Sequence, residues 1–275
     1  DAPANLSSQF SIDSLLKMNG IYDSNIVSEE AALSNIGFDR DNPNSILNCV
    51  TAVRENARSA RDVISTELWE TINRYYHFTL NYDREAFSKT NLFDFTQRII
   101  EQTSIIKGRI DSTLIHNETW TIICLGIFVE RITQILRIIA TKLSDLKLLK
   151  EDDQSPALKA HQIEVMLRSL ESFDMSRKFY RRAPTINSSL EFLLLNKKFP
   201  RSILSCTKKL KRHLDNIEAK GEFKPNTAGF IIGKLSSRLD YMIIEEMLDR
   251  KEEFISELQD EVQEIRSKII EEYLS

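Results

Sequence analysis

Apolar side chains recur at steps of three and four residues along most of the chain, which places them on one face of a helix. One such stripe consists of Ile46, Val50, Val53, Ala57, Ala60 and Ile64. A longer one consists of Ile122, Leu125, Val129, Ile132, Leu136, Ile139, Leu143 and Leu146, and predicts a helix over 118–149. No stretch sustains the alternation of a half-buried strand. The pattern predicts an all-α protein, a bundle of long, mostly antiparallel helices.

Residues that favour helix ends predict where several helices begin. Ser28 precedes two glutamates, and Ser65 and Thr185 precede apolar runs, so each is predicted to cap a helix. Asn42 followed by Pro43 predicts another start, with Asn42 as the cap, because proline is favoured at the first helical position.

The last part of the chain carries a heptad pattern. Its apolar positions are Leu248, Ile255, Val262 and Ile269, with Leu258 and Ile265 at the partner positions. Such a seam packs inside a bundle or against a second chain, so a homo-oligomer is one candidate. We expect a single domain with three parts: an arm with a short helix at 1–37, a bundle core at 38–220, and C-terminal helices packed on it at 221–275.

Composition agrees with long helices and excludes several classes of protein. Seven glycines and six prolines in 275 residues favour short loops, and a net charge of −4 argues against a general nucleic-acid binder. Cys49, Cys124 and Cys206 lie far apart without a CxxC pair, so we expect reduced thiols and a cytoplasmic protein. We predict neither a metal site nor a cofactor: His161 and Glu164 have the spacing of metal ligands, but a di-iron bundle needs two such pairs, and no phosphate-binding glycine loop occurs.

Three charges, Glu130, Arg131 and Arg137, interrupt the most apolar stretch, TWTIICLGIFVERITQILRII, which runs from Thr119 to Ile139. A charge near a bilayer centre costs about 2.5–3.5 kcal/mol, so this stretch is not predicted to cross a membrane. In a helix bundle, Glu130 and Arg131 are expected to be partly buried and to need partners, because an unpaired buried charge is very unfavourable.

A second helix offers such partners. Its basic stripe, at i, i+4 and i+7, consists of Arg54, Arg58 and Arg61. We predict a network in which Glu130 pairs with Arg54 or Arg58 and Arg131 pairs with Glu55. Two interpretations stay open: the network fixes the register of two helices, or it lines a cavity where guanidinium groups bind a carboxylate or phosphate.

Basic side chains concentrate in the segment 177–212, called the basic segment below. They are Arg177, Lys178, Arg181, Arg182, Lys197, Lys198, Arg201, Lys208, Lys209, Lys211 and Arg212, opposed within the segment by Glu191 alone. This concentration predicts an anionic partner, such as a nucleotide, an acidic peptide or an acidic protein face, with Arg181, Arg182 and Arg201 as candidate contacts. The alternative is pairing with the acidic C-terminal residues Glu245, Glu246, Asp249, Glu252 and Glu253.

Three stretches carry a family resemblance: FDRDNPNSILNCVTAVRENARSARDVISTELWETIN, LGIFVERITQILRI and RRAPTINSSLEFLLLNKKFPRSILSC. In this order they resemble the alpha-E family, bacterial all-helical domains named for a Glu-Arg motif, over about 38–206. Glu130 and Arg131 match that motif, to which the family attaches no established role. The family usually opens with a further helix of the type GRYxERAEN, which we expect to be missing here.

The resemblance also implies partners. Alpha-E proteins are encoded beside, or fused to, circularly permuted ATP-grasp ligases and transglutaminase-like papain-fold enzymes. That context implies a part in making or modifying a peptide-like product, and a ligase or transglutaminase-like protein as partner.

Three hypotheses for function follow. The first is a non-catalytic helical module that binds the ligase or its anionic peptide product. The second is an enzyme of amide chemistry with Glu130 as acid or base and Arg54, Arg58 or Arg131 as anion binders. The third is an oligomerisation scaffold built on the C-terminal heptads.

Overall fold

The computed structural model describes residues 11–22, 25–83, 92–149, 155–217 and 225–274. Every regular element in these ranges is a helix, so the all-α prediction is confirmed. The chain divides into two compact units, Asp1–Trp120 and Thr121–Ser275, and each unit is described by itself. This division does not test the three parts expected from the sequence, which stay a prediction.

The first unit contains five helices among its described residues. They are α1 (residues 11–18), α2 (Glu29–Phe38), α3 (Ile46–Ser59), α4 (Thr66–Leu80) and α5 (Leu92–Thr113). Helix α3 packs against α2 and α4, and α4 packs against α5. The ring of Phe95 lies 5.2 Å from that of Phe38, so an aromatic contact ties α5 to the end of α2.

Helix starts in this unit follow side-chain caps, as predicted at two of three places. Ser28 caps α2 and Ser65 caps α4. The prediction for α3 is wrong, because Ser45 is the cap and accepts a hydrogen bond from the Asn48 amide at 3.2 Å. Asn42 instead accepts from the amide of Asn44 at 2.9 Å, which forms a turn just before the helix.

The buried face of α3 also differs from the predicted stripe. Leu47, Val50 and Ala57 are buried, whereas Val53 is 43% exposed. Arg54 lies four residues after Val50 and three before Ala57, so it belongs to the same face of α3. A cation therefore occupies part of the face that packs on α4.

The second unit contains most of α6 and seven further helices among its described residues. They are α6 (Glu118–Leu148), α7 (Ser155–Ser169), α8 (Phe173–Tyr180), α9 (Ile186–Leu195), α10 (Ile203–Ile217), α11 (Ala228–Tyr241), α12 (Glu245–Leu248) and α13 (Lys251–Tyr273). Helix α9 packs against α7, α8, α10 and α11, and α11 packs against α10 and α13. A capping box at Thr185 begins α9, as predicted.

The long apolar helix forms part of the core of this unit. Leu125, Ile132, Leu136 and Ile139 of α6 are fully buried, so the predicted stripe is confirmed. None of the described helices combines the length and the apolar character that a membrane crossing requires.

The heptad seam lies inside the second unit. Leu258 and Ile265 have no exposed surface, and Ile255 and Val262 are nearly as buried. Helix α13 packs against α11 and α12, so this chain itself supplies the surface that the seam contacts. A homo-oligomer is not tested by this packing and stays a prediction.

Candidate functional site

Arg54 lies between α3 and α4, where its side chain contacts groups on both helices. Its Nε donates a hydrogen bond to Asn73 Oδ1 at 3.0 Å, and its Nη1 lies 2.7 Å from Glu55 Oε1. The guanidinium carbon lies 4.5 Å from the centre of the Tyr76 ring. The Arg54 charge therefore already has an anion, an amide and an aromatic face as neighbours.

The other two arginines of the stripe lie at the exposed edge of the same cluster. Arg58 Nε lies 3.3 Å from Glu55 Oε2, so one carboxylate bridges Arg54 and Arg58. The guanidinium of Arg61 lies 4.8 Å from the centre of the Trp69 ring. The structure thus brings Arg54, Glu55, Arg58 and Arg61 together on one side of the first unit.

Glu130 and Arg131 take different environments in the second unit. Glu130 is exposed, and its Oε1 accepts a hydrogen bond from Gln134 Nε2 at 2.9 Å, one turn further along α6. Arg131 is half-buried and lies 5.3 Å from the centre of the Phe128 ring. The predicted partners of both residues belong to the first unit, so the Glu-Arg network stays a prediction.

Arg131 also reaches the thiol of Cys206 on α10. Cys206 is fully buried, and its Sγ lies 3.7 Å from the carbonyl oxygen of Pro200, to which the thiol donates. Burial raises the pKa of Cys206, although the nearby cations Arg131, Lys209 and Arg201 act in the opposite direction. At neutral pH this cysteine is a buried thiol, which is a poor nucleophile.

An aromatic contact between α6 and α10 lies beside that thiol. The ring of His213 stacks on that of Phe128 with centroids 5.6 Å apart, and Lys209 Nζ lies 5.6 Å from the Phe128 centroid. Sequence reasoning missed this arrangement because the signal, a histidine on the buried face of an amphipathic helix, does not specify its partner.

Several cations of the basic segment are neutralised within the second unit. Lys197 and Lys208 both contact Asp240 Oδ1 at 2.8 Å, and their hydrogen bonds hold the pKa of that carboxyl below its usual value. Arg201 Nη2 lies 2.6 Å from Glu171 Oε2, so this candidate contact residue already has an anionic neighbour. For these three cations, the acidic partners are Asp240 and Glu171 rather than the cluster at 245–253.

Four other cations of the basic segment surround a surface cleft of about 450 Å³, called the cationic cleft below. The cleft is lined by Asp174, Arg177, Lys178, Arg181, Arg182 and Ala183. All four cations are exposed, and none of them forms an ion pair with a carboxylate in the described part of the chain. This is therefore a concentration of positive charge with access to solvent.

The cationic cleft exists because α8 ends abruptly. Arg181 adopts the left-handed conformation, with φ 54° and ψ 31°, while its amide donates to the carbonyl oxygen of Arg177. The next residue, Arg182, places its guanidinium 5.7 Å from the centre of the Tyr180 ring. The turn thereby brings arginines from the helix and from the following loop to one surface.

A family model described as a predicted alpha-helical domain with a conserved ER motif, named Alpha-E, matches residues 5–274. The chain belongs to the Alpha-E family. Comparison with curated proteins and with solved structures found no match. In this Alpha-E domain, Glu130–Arg131 is the single Glu-Arg dipeptide of the sequence.

The Alpha-E domain also buries a charged cluster that the sequence analysis missed. Lys142 Nζ on α6 lies 2.9 Å from Asp145 Oδ2 and 2.9 Å from Gln162 Oε1 on α7. Both charged side chains are almost fully buried. Their spacing of three residues in an apolar helix was a usable signal, similar to that of the Glu-Arg dipeptide.

The described residues do not gather the side chains that a metal ion requires. No group of three or more histidine, cysteine, aspartate or glutamate side chains with suitable geometry occurs in those parts of the chain. The charge of the cationic cleft favours an anion as its ligand.

Proposed function

We propose that this Alpha-E domain is a non-catalytic accessory module that works in the cytoplasm with an ATP-grasp ligase or a transglutaminase-like protein. Its role is to bind that protein, or its anionic peptide product, during peptide synthesis or modification. The observation that carries the proposal is the cationic cleft, in which four solvent-exposed cations lack a carboxylate partner among the described residues.

The environments of the other candidate groups favour binding over catalysis. Glu130 is exposed to solvent and its carboxylate accepts a hydrogen bond from Gln134, so it is not held in a desolvated environment. Cys206 is buried and protonated. The arginines of α3 already contact Glu55 and aromatic rings.

The test is a titration of the purified Alpha-E domain with an ATP-grasp ligase from the same organism, by isothermal calorimetry at low and at high salt. We expect a dissociation constant of about 1–50 µM that weakens several-fold as salt rises, because exposed charges are screened beyond a Debye length of about 10 Å. Lys178→Glu together with Arg182→Glu is expected to weaken binding about tenfold or more.

Arg212→Glu is the matched control. Arg212 is an exposed cation on α10 in the same unit and does not line the cationic cleft. An equal loss of affinity in this control would show that overall charge, and not the cleft, determines binding. No association at about 100 µM ligase would refute the accessory role.

A further inference from the structure

The exposed face of α8 combines positive charge with apolar surface. Met175 is 45% exposed and Phe179 is 54% exposed, and the two lie one turn apart on the same face. The Phe179 ring is held against the rings of Tyr180 and Phe192 at centroid distances of 5.0 and 5.8 Å. Phe179 is thus a positioned aromatic side chain that nevertheless keeps half of its surface in water.

A second cleft, of about 280 Å³, has Phe179 in its lining. It is lined by Phe179, Tyr180, Glu191, Leu195, Asn196, Lys197 and Lys198. The two clefts meet along the chain at the end of α8, where Lys178 and Arg181 line the cationic cleft and Phe179 and Tyr180 line this aromatic cleft.

Arg181, like Glu171, holds a side chain in the left-handed backbone conformation just after a helix. A left-handed residue that ends a helix is usually glycine, because a side chain is strained there. Arg181 accepts that conformation and directs no ion pair to a carboxylate of the described chain. Non-glycine residues in strained backbone conformations concentrate at binding sites, where the side chain is what the site requires.

The mixture of groups favours a peptide over a nucleic acid. Asp174 lies among the four cations and Glu191 lines the aromatic cleft, and both carboxylates would repel a continuous phosphate backbone. A peptide carries carboxylates for the cations and also N–H groups that these two acceptors can bind. The net charge of −4 further disfavours a long polyanion.

We propose that the α8 surface binds an extended acidic peptide segment, with carboxylates on Arg177, Lys178, Arg181 and Arg182 and an apolar side chain on Phe179. This inference rests on the proposed function, since it names the ligand class of the same cleft. Arginine suits the role because its planar fork binds a carboxylate through two hydrogen bonds.

The experiment measures fluorescence anisotropy of a labelled ten-residue peptide, with glutamates on both sides of one phenylalanine, added to the whole domain. We expect a dissociation constant of about 1–100 µM, and about fivefold weaker binding when the peptide phenylalanine is serine. Arg181→Gly and Phe179→Ser are each expected to weaken binding about five- to tenfold. Arg212→Gln, which removes an exposed arginine outside both clefts, is expected to change it less than about twofold.

Two results would overturn this inference. One is tighter binding of a single-stranded oligonucleotide of equal charge than of the peptide. The other is equal affinity for the phenylalanine and serine peptides in the parent domain. Circular dichroism of each variant checks that the helices are intact, since both substituted side chains are exposed.

Failure of this inference is distinguishable from failure of the proposed function. If the ligase binds and the peptide does not, the peptide inference alone is wrong. If the peptide binds and the ligase does not, the cleft is a peptide site and the partnership with the ligase is wrong.

Discussion

Substituting Arg181 measures how much its left-handed backbone conformation destabilises the folded domain. A side chain in the left-handed conformation is unfavourable by roughly 1–2 kcal/mol, while glycine loses about 0.5–1 kcal/mol more backbone entropy on folding. Arg181→Gly is therefore expected to raise the free energy of unfolding by about 0.5–1 kcal/mol. Urea denaturation followed by circular dichroism measures this change.

Asn226 provides the control for that substitution. It is also left-handed, with φ 67°, but asparagine tolerates this conformation better than arginine does. Asn226→Gly should give a smaller gain than Arg181→Gly. A loss of stability in Arg181→Gly would show that the arginine side chain stabilises the fold through contacts of its own.

Tyr180 is expected to make the free energy of unfolding fall as pH rises above 10. Its hydroxyl donates to Glu191 Oε2 at 2.8 Å, and burial together with this bond raises its pKa above the ordinary value of 10.0. Because the folded pKa exceeds the unfolded one, this contribution is fully present below pH 10.0 and is lost as pH rises through the folded pKa. Tyr180→Phe is expected to cost about 1–2 kcal/mol at pH 7 and to flatten the decline above pH 10.

Urea denaturation at pH 7 and at pH 10.5 checks this prediction. Tyr241 is 87% exposed, so Tyr241→Phe is the matched control and should leave both values unchanged. An unchanged alkaline slope in Tyr180→Phe would assign the decline to another group, such as the buried Cys206, whose pKa is also raised by burial.

Glu130 decides between the binding module and the amide-chemistry enzyme. Its carboxylate accepts one hydrogen bond from Gln134 on an exposed surface of α6. Glu130→Gln should therefore change the free energy of unfolding by less than about 0.5 kcal/mol and leave the turnover of a reconstituted ligase system unchanged. A fall in turnover of about a hundredfold or more, with unchanged affinity for the ligase, would favour the enzyme instead.

At the level of helices, the cluster of Lys142, Asp145 and Gln162 joins α6 to α7. Removing one partner of a buried ion pair leaves an uncompensated charge, at a cost of about 3–5 kcal/mol. Lys142→Met should lower the free energy of unfolding by that amount. The double variant with Asp145→Leu should recover most of the loss, because neither charge then remains.

A double-mutant cycle measured by urea denaturation tests this coupling. Lys147 is the matched control, since it lies on the same helix, is 64% exposed and pairs with Glu252 at 3.3 Å. Lys147→Met should cost less than about 1 kcal/mol. Additive losses at Lys142 and Asp145 would show that the two buried charges act independently.

Helix starts were predictable at three serine or threonine residues that have a suitable side chain and precede a helical pattern. Ser28, Ser65 and Thr185 are of this kind, and each caps its helix. Before α3, both Asn42 and Ser45 have the right chemistry. Asn42 uses its side chain in a turn to Asn44, which leaves Ser45 to cap the helix.

The rotation of a helix about its own axis was harder to predict than its ends. Apolar spacing alone placed Val53 in the core, but α3 buries the line that contains Arg54. Trp69 and Tyr76 of α4 are why the cation is tolerated there, because their ring faces contact the guanidinium and Asn73 bonds its Nε. One sequence does not show which residues of a second helix will face the first.

The candidate site was predictable as a segment but not as a surface. The concentration of cations between 177 and 212 is evident from the sequence. Which of them stay exposed depends on contacts between distant residues, such as Lys197 and Lys208 with Asp240. Arg201 was expected to bind a partner but pairs with Glu171, whereas Arg181 and Arg182 line the cationic cleft.

For the whole molecule, the net charge is negative, whereas the charge around the cationic cleft is positive. The chain carries −4 overall, yet the cationic cleft places four cations beside one aspartate. A partner within about 10 Å experiences the local potential, and a distant one experiences the net charge. An acidic segment that binds directly in the cationic cleft would feel the local positive charge more strongly than the net negative charge, and its binding would weaken as salt rises.

A substitution in the heptad seam distinguishes two roles for α13: packing inside one chain, or joining two chains. Ile265 is fully buried in the second unit, where α13 packs against α11. Ile265→Asp places an unpaired charge in that core, which is expected to cost about 4 kcal/mol or more and to lower the helical circular dichroism. If the seam instead joined two chains, the same change would halve the mass measured by light scattering while the helices persisted. Ser256→Asp, an exposed change on the same helix, should affect neither quantity, so loss of helix in Ile265→Asp alone assigns the seam to the interior of one chain.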